Sequence, residues 1–458
     1  MIKVLMFGWE FPPHISGGLG TACLGLTQSL SKENVRILFV VPKTDDHAPF
    51  KGVNVMGASN VPIPLSDIEI ESETWVVSHI DKSIEEKTGQ QKLIQVLLSS
   101  ELLPYFSEDT SFEKANISQW NYQLHTGLKE QKVRVKSKRK QSVNVQYAFS
   151  GGYGPRLLQE VERYAIVAKQ IVIRNSFDII HAHDWLTFPA AIEAKNISGK
   201  PLVVHVHATE YDRSGENADQ RVCTIERNGL EQADRIIAVS QLTKNIIVSR
   251  YHIPFSKVEV VHNGVTPRQS NIEVTPSLHG KQVVTFLGRI TQQKGPSYFV
   301  EAAHKVLTKF PEAHFVMAGS GDMLPKMVKL VAALRMSAHF HFTGFLTNSK
   351  VNQIWSMSDV YVMPSVSEPF GITPLEAMMA GVPVIISNQS GVAEVVQHAI
   401  KIDFWDIDAL ANAICNLLTH KSLINTIKTK SEIEIKKINW NKAAKRIKTL
   451  YNELTIQS

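Results

Sequence analysis

The sequence is poor in cysteine and has no long hydrophobic run. Its three cysteines, Cys23, Cys223 and Cys415, are scattered over 458 residues. So few cysteines disfavour a disulfide-stapled or cysteine-rich zinc protein and favour a reducing compartment. No stretch approaches the ~18 apolar residues of a membrane span, and the apolar run at the start is too short for a signal peptide. We therefore expect a cytoplasmic protein.

Neither sign of charge dominates the chain. Lysine and arginine number 49 against 43 aspartates and glutamates, which gives a formal net charge of +6. This surplus suits an anionic ligand and does not require nucleic acid as a partner. Hydrophobic residues make up 43% and charged residues 20%, as in ordinary globular proteins. At roughly 150 residues per domain, the length predicts two or three domains.

Short apolar runs alternate with longer amphipathic segments, and this alternation predicts parallel sheets with helices on both faces. The first half opens with a predicted strand at Lys3–Phe7. A polar stretch containing glycine and proline follows His262, and the second half then opens at Val283–Leu287. The sequence therefore predicts an α/β protein of two doubly wound domains. The other predicted strands are Arg36–Val41, Asp178–Ala182, Leu202–Val206, Arg235–Val239, Val258–Val261, His314–Ala318, His339–Thr343, Val360–Met363 and Pro383–Ser387.

The expected domains are residues 1–264 and 265–438, and two segments stand outside the alternation. Residues 45–148 interrupt the first domain and contain the basic run Lys132–Lys140. This run is either a solvated hairpin or loop, or a contact for an acceptor or an anionic membrane surface. Residues 439–458 carry apolar side chains on one face and are predicted to form an amphipathic helix.

Glycines and histidines follow predicted strands of the first domain. Gly17 and Gly18 open a helix, where free N–H groups favour an anion, although a simple turn explains them equally well. His181 and His183 alternate at a strand end and so share a face. They could contact a substrate, be buried structural histidines, or form part of a metal site, for which no third ligand is evident. The same pattern recurs at the next strand end in His205 and His207, just before Glu210, Asp212 and Arg213.

Two cations and two carboxylates follow strands of the second domain. Arg289 and Lys294 lie on one strand-end loop and could converge on a diphosphate, or they could be ordinary surface charges. Glu368 and Glu376 flank a loop-to-helix transition. Glu376 could instead complete a capping box with Thr373, and Glu368 could be a solvated loop acid.

These motifs, in this order, resemble those of retaining glycosyltransferases with two Rossmann-like domains facing across a cleft, the GT-B type. The likeness is to the glycogen and starch synthase branch and to the group 1 glycosyltransferases. It rests on the glycine pair at Gly17, the histidine motif around His183, the two cations after Val283–Leu287, and the Glu368–Glu376 motif. It covers nearly the whole chain except residues 45–148.

The resemblance implies a role for each motif. Arg289 and Lys294 would hold the donor diphosphate in place of a metal ion, and Glu376 would bind the ribose hydroxyls. His183 would contact the sugar near its reacting carbon, with His181 as second choice. The final helix would return to the first domain. Residues implied to contact the donor are Gly17 and Gly18 at the phosphates, Phe345 and Leu346 at the base, and Glu368, Phe370, Gly371, Ile372 and Thr373 at the sugar.

Two positions depart from the glycogen synthase pattern. Ile15 stands where bacterial glycogen synthases have lysine, and Leu186 stands where histidine often follows Asp-Trp. We therefore expect a broader retaining, metal-independent hexosyltransferase. It would use a UDP- or ADP-sugar, with glucose the expected hexose, and would transfer it to a hydroxyl of a glycan or other acceptor without a cofactor. The alternatives are a sugar-nucleotide epimerase on the same fold and a non-catalytic protein that binds sugar nucleotides or glycans.

Overall fold

The computed structural model describes residues 1–13, 17–44, 52–64, 97–98, 144–266 and 281–456. The basic run Lys132–Lys140, Ile15 and most of the segment 45–148 lie outside the described residues. Within these ranges no helix has the length and apolarity needed to cross a bilayer.

The structure contains two extended parallel sheets. The first has seven strands in the order β10-β9-β8-β7-β1-β2-β3, and the second has six in the order β13-β12-β11-β14-β15-β16. Every pairing inside both sheets is parallel, so the predicted fold class is confirmed. The strands are β1 Ile2–Phe7, β2 Val35–Val41, β3 Val53–Gly57, β4 Ile63–Pro64, β5 Leu97–Leu98, β6 Asn144–Tyr147, β7 Ile179–His183, β8 Leu202–Val206, β9 Arg235–Ala238, β10 Val258–Val260, β11 Val283–Leu287, β12 His314–Ala318, β13 Phe340–Gly344, β14 Val360–Met363, β15 Val384–Ser387 and β16 Ile400–Ile402.

Helices lie between most successive strands of the two parallel sheets, as parallel connections usually require. Some begin at a side-chain N-cap; Asp219, Ser240 and Asp406, for example, each accept a hydrogen bond from the first turn of the helix that follows. The α-helices are α1 Gly18–Lys32, α2 Leu157–Arg174, α3 Phe188–Ser198, α4 Glu210–Ser214, α5 Gln220–Gln232, α6 Gln241–Tyr251, α7 Pro296–Leu307, α8 Leu324–Ala333, α9 Asn348–Met357, α10 Thr373–Met379, α11 Ile407–Thr419, α12 Lys421–Ile435 and α13 Trp440–Ile456.

The final helix belongs to the core of the first domain. Its buried face, which includes Ala444, Ile447 and Tyr451, packs with α1 against one side of the first sheet. Trp440 reaches Gly25 of α1, where a Cβ would lie 2.2 Å from the indole nitrogen. The last segment of the chain is therefore held by burial of apolar surface on the first domain, whose other sheet face is covered by α2 and α3.

Candidate active site

Both sheets have a switch point, where the chain stops adding strands in one direction and begins to add them in the other. In the first sheet this point lies between β1 and β7, and in the second between β11 and β14. Ligands of open α/β sheets bind beyond the carboxyl ends of strands at such points. All four predicted motifs follow these strands: Gly17–Gly18 follows β1, His181–His183 ends β7, Arg289–Lys294 follows β11, and Glu368–Glu376 follows β14.

The glycine pair leaves open space at the start of α1. Gly17 is the N-cap and Gly18 the first helical residue, and apart from chain neighbours and the helix's own backbone, a Cβ added to either would meet no described heavy atom within 4 Å. No side chain caps this helix. Packing therefore does not explain the glycines, whereas an anion approaching the free N–H groups would.

His181 and His183 belong to a group of four histidines. His183 lies opposite His205 in the β7–β8 register, and His207 follows β8. The rings of His181 and His183 are stacked with centroids 4.6 Å apart, and those of His205 and His207 are 4.3 Å apart. We call these four residues the histidine array. It lies on the sheet face covered by α1 and α13.

Three members of the array are removed from solvent. His181 and His183 are 0% exposed and His205 is 1% exposed, whereas His207 is half-buried. Burial lowers the pKa of His181 to about 3 and, helped by the neighbouring imidazoles, lowers those of His183 and His205 well below the ordinary range. The array is therefore neutral near pH 7. Nδ1 of the buried His183 lies 2.9 Å from Nε2 of His207, the half-buried member of the array.

In the second domain, one predicted cation and one predicted carboxylate form an ion pair. Nζ of Lys294 lies 2.5 Å from Oε2 of Glu368, and the Ser365 hydroxyl donates to the same oxygen at 3.3 Å. The side chains of Lys294 and Glu368 are only 19% and 9% exposed. The backbone of Glu368 is fixed as well, because it donates to Gln389 and accepts from Gly391. We call the loop after β11, with its cations Lys294 and Arg289, the cationic edge. The pair of Lys294 and Glu368 forms one side of it.

Arg289 is the exposed cation of this edge. It lies on the β11 loop with Lys294 and has no hydrogen-bond or ion-pair partner among the described residues. Its guanidinium is therefore available to an incoming anion, as the sequence predicted for a diphosphate. The alternative of a plain surface charge stays open for Arg289. For Lys294 it is wrong, because this lysine is partly buried and paired.

The capping box predicted for Glu376 is not formed. Helix α10 begins at Thr373, its N-cap is Ile372, and no side chain caps it. Glu376 is half-buried in the first turn of α10, so the competing explanation for this carboxylate is removed, while its role at a ribose stays a prediction.

The loop before α10 faces the first domain. Gly371 has a φ of +96°, which glycine adopts without strain, and this turn brings Ile372 against the core shared by α1 and α13. Phe370 is buried, and its carbonyl accepts from Val392.

The residues predicted for the base, Phe345 and Leu346, follow β13. Phe345 is 63% exposed after a left-handed Gly344, and Leu346 is half-buried. An exposed aromatic ring at a strand end can stack on a base, so the geometry is compatible with the predicted role.

Residues outside the predicted set join the two domains beside this site. The Ser367 hydroxyl donates to Asp212 Oδ1 at 2.7 Å. Glu394 accepts from the backbone of Gln241 and Leu242 at the start of α6 and lies 2.7 Å from Nε2 of His262. In the sequence, Asp212 follows the pair His205 and His207, but no role could be assigned to it there. No sequence pattern indicated a role for Glu394, because its backbone partners Gln241 and Leu242 lie about 150 residues away in the chain.

Two family models match the chain. Residues 267–433 match the glycosyl transferases group 1 model, and residues 130–269 match the Glycosyltransferase Family 4 model. The matches together span residues 130–433, and the two parallel sheets supply the matching fold. The chain is a glycosyltransferase of the GT-B type. The resemblance inferred from the motifs is thereby confirmed.

Curated relatives of this glycosyltransferase match it over more than half its length. An uncharacterized glycosyltransferase of Methanocaldococcus jannaschii is 29% identical over 296 residues, which cover 60% of this chain and 75% of the relative. A glycogen synthase of Mycobacterium tuberculosis is 27% identical over 249 residues, or 53% of this chain and 60% of the relative.

Solved structures share the fold over the whole chain. A sucrose-phosphate synthase from Thermosynechococcus elongatus has a TM-score of 0.67 at 16% identity, covering 100% of both chains. An Anabaena protein in complex with UDP and glucose has a TM-score of 0.63 at 15% identity, covering 99% of this chain and 100% of the other. At such identities the likeness concerns the fold alone.

Proposed function

We propose that this glycosyltransferase moves a hexose from a nucleotide diphosphate sugar to a hydroxyl of a glycan or other acceptor, with retention of configuration and without a metal ion on the diphosphate. The observation that carries the proposal is the cationic edge: Lys294, held by Glu368, and Arg289, unpaired among the described residues, follow the switch-point strand of the second sheet. A diphosphate leaving group needs this kind of charge complement.

The cationic edge acts on charge that grows during the reaction. As the bond to the sugar breaks, negative charge accumulates on the diphosphate, and Arg289 and Lys294 stabilise it. Since Lys294 is already fixed by an ion pair, little reorganisation is required at the moment of transfer. Glu368 then lies at the sugar end of the donor, where positive charge develops on the ring.

The resemblance to retaining enzymes implies retention, and the poor availability of a nucleophile bears on how retention would be achieved. The carboxylate of Glu368 is engaged by Lys294 and Ser365 and is nearly buried, which disfavours attack on the anomeric carbon. We favour same-face attack by the acceptor hydroxyl, whose proton passes to the leaving phosphate. Gly17 and Gly18 would approach the phosphates from the first domain, and His183, whose Nδ1 lies 2.9 Å from Nε2 of His207, would contact the sugar near its reacting carbon.

The donor is a UDP- or ADP-sugar, with glucose as the first candidate. Support comes from the glycogen synthase relative and from the shared fold with the Anabaena protein that was solved with UDP and glucose. Glu376 would hold the ribose and Phe345 would stack on the base. The acceptor and a cytoplasmic location stay open, as does membrane contact through Lys132–Lys140, which sedimentation with anionic liposomes would test.

The proposal is tested by a thermal-shift screen against UDP-glucose, ADP-glucose, GDP-mannose and UDP-N-acetylglucosamine. A ligand at 100 times its Kd stabilises the folded state by about 2.7 kcal/mol. Turnover of the stabilising donor is then measured with and without glycan acceptors, in EDTA, and the anomeric configuration of the product is read by NMR. We expect acceptor-dependent transfer that persists in EDTA.

Each other outcome identifies an alternative. Donor turnover without an acceptor would indicate an epimerase. A stabilising shift without any turnover would indicate a sugar-nucleotide binding protein. A strict requirement for magnesium or manganese would contradict the assignment of the diphosphate to Arg289 and Lys294.

A further inference from the structure

The short helix α4, which follows β8, is fixed inside the first domain by a buried ionic network. Both carboxylate oxygens of Glu226, on α5, accept from the backbone N–H of Glu210, at 3.0 and 3.1 Å. The guanidinium of Arg213 lies 3.5 Å from the same carboxylate and donates to the Ala208 carbonyl at 3.0 Å. Glu226 is only 3% exposed, so water and salt screen these charges poorly. The first domain therefore determines where α4 lies.

Asp212 is the member of α4 that reaches the second domain. Its Oδ2 accepts from the backbone N–H and the hydroxyl of Thr209, at 2.8 and 2.7 Å, as part of the capping box of α4. Its Oδ1 accepts from the Ser367 hydroxyl at 2.7 Å. The residue is buried, and burial raises the pKa of its carboxyl against the opposing effect of these hydrogen bonds. One oxygen thus serves the cap, and the other serves the second domain.

On the other side of this contact, Ser367 immediately precedes Glu368. The backbone of Glu368 is itself held by two hydrogen bonds within the second domain. Helix α4 also packs against the turn Gln292–Lys294, which carries the lysine paired with Glu368. Asp212 therefore meets the second domain directly beside the ion pair of the cationic edge.

We propose that Asp212 is a positioning residue: by holding Ser367 it sets how the second domain lies against the first, and so fixes the Glu368 carboxylate relative to the end of β8. Neither Asp212 nor Ser367 is assigned a contact with the donor, so both act through Glu368. The consequence for transfer rests on the proposed function, in which Glu368 lies at the sugar end of the donor. Groups from two domains can act on one sugar only if their geometry is held to about 0.5 Å.

A purely local role for Asp212 would be to cap α4. That role uses Oδ2 and Thr209, and a change at Ser367 leaves it untouched. The bond between the domains, in contrast, is lost when either partner is removed. Without the Ser367 hydroxyl, Oδ1 of Asp212 is buried without this partner while the domains stay in contact, which favours their separation so that water can reach the oxygen.

Substitutions at Ser367 test the inference through the rate of transfer. Ser367→Ala removes the hydroxyl without touching the cap of α4, and Ser367→Thr keeps a hydroxyl. We expect Ser367→Ala to lower kcat roughly tenfold, because small misplacements of reacting groups are costly. The Kd for UDP should stay unchanged, since the nucleotide is assigned to the second domain. Ser367→Thr should restore most of the rate.

Two further variants complete the kinetic test. Asp212→Ala should lower kcat as much as Ser367→Ala, and the double variant should be no slower than either single one, because both remove the same contact. Asp212→Ala should also lower Tm, since it removes the cap of α4. The matched control is Ser356→Ala, whose hydroxyl bonds to the Gln353 carbonyl within α9 and which should transfer like the wild type.

The separation of the domains gives a readout that does not depend on the reaction. Spin labels on Asn196→Cys of α3 and Lys326→Cys of α8 report the distance between the domains by electron double resonance. The three native cysteines are buried and should not take up the label. Ser367→Ala should shift or broaden the distribution toward longer distances, and Ser367→Thr should restore it.

Three results would overturn the inference: an unchanged kcat in Ser367→Ala, an unchanged distance distribution in that variant, or losses in Ser367→Ala and Asp212→Ala that multiply in the double variant. Absence of transfer by the wild type would count against the proposed function instead. The distance distributions would then still decide whether the contact of Asp212 with Ser367 sets the separation of the domains.

Discussion

The two strand edges that face each other across the cleft differ in charge and in burial. The edge of the first sheet carries neutral imidazoles, of which His181 and His183 are completely buried. The edge of the second sheet carries Arg289, exposed and unpaired among the described residues, and the partly buried pair of Lys294 and Glu368. Under the proposed function, the two domains would divide the work: the second would supply charge for the leaving group, and the first would supply shape and neutral polar contacts.

The largest expected effect on turnover comes from removing Arg289 or Lys294, the cations at the edge of the second sheet. Arg289→Ala and Lys294→Ala should each reduce turnover about a hundredfold, because a preorganised charge contact is worth roughly 3 kcal/mol in the barrier. The two variants should differ in stability. Lys294→Ala leaves the carboxylate of Glu368 buried without its cation and should lower Tm, whereas Arg289→Ala breaks no described contact and should not.

Arg221→Ala is the matched control for these variants. Arg221 is an exposed arginine on α5 that forms an ion pair with Asp219. It should keep wild-type kcat/KM and Tm. Near-wild-type activity in both Arg289→Ala and Lys294→Ala would contradict the assignment of the diphosphate to these two cations.

The sequence predicted the strands well because buried parallel strands are short apolar runs bounded by polar residues. β8, β11, β12 and β14 agree to the residue, and the motifs that follow β1, β7, β11 and β14 lie at the two switch points. Strand order, in contrast, decides which distant loops meet. Lys294 and Glu368 are 74 residues apart, and Asp212 and Ser367 are 155 apart. Such pairings have no local signature in the sequence.

The histidines illustrate the same limit. Two His-x-His patterns were visible at successive strand ends, but their alignment depends on the β7–β8 register, which sets His183 opposite His205. The capping box considered for Glu376 was wrong for a local reason, because Thr373 is already the first helical residue and the helix starts without a side-chain cap.

The next largest effect distinguishes the roles of Glu376 and Glu368, the two carboxylates that follow β14 in the second sheet. Glu376→Gln should weaken binding of UDP and of UDP-sugar about tenfold, since a carboxylate accepts two charge-assisted hydrogen bonds that an amide cannot. Glu368→Gln should bind UDP nearly as well as wild type but turn over slowly, because charge at the sugar end develops only as the bond breaks. Titration calorimetry and steady-state rates measure both, and the reverse pattern would show that the donor lies along the loop in the opposite direction.

A smaller effect concerns the contact that joins the two domains. Burial opposes ionisation of Glu394, but hydrogen bonds from His262 and from the backbone of Gln241 and Leu242 outweigh it and lower its pKa. A carboxylate with a lowered folded pKa stabilises above its unfolded value and loses that contribution as pH falls through the folded one. Glu394→Gln should therefore cost about 1 kcal/mol at pH 7, and this difference should shrink below about pH 4.5.

Thermal unfolding of both proteins between pH 7 and pH 3.5 measures this difference. Glu432→Gln serves as the control, because its ion pair with Lys436 lies on one exposed helix. It should show no pH-dependent difference from wild type. A gap between Glu394→Gln and wild type that stays constant over the range would mean that the carboxylate charge is not what the contact uses.

The smallest expected effect on stability is at the glycine pair of the first edge. Apart from chain neighbours and the helix's own backbone, a Cβ at Gly18 meets no described heavy atom within 4 Å, and alanine suits a helix, so Gly18→Ala should raise stability by no more than about 1 kcal/mol. Gly25→Ala on the same helix is the control. Its Cβ would lie 2.2 Å from the Trp440 ring, and such overpacking typically costs about 1–3 kcal/mol.

Donor affinity should rank these two variants in the opposite order. If the start of α1 approaches the phosphates, the methyl group of Gly18→Ala occupies space next to the donor and should weaken donor binding severalfold in calorimetry. Gly25→Ala, which lies between α1 and α13, should bind the donor normally at temperatures where it is folded. Normal donor binding by Gly18→Ala would show that the first edge lies farther from the diphosphate, and the cations of the second edge would then act without help from this helix.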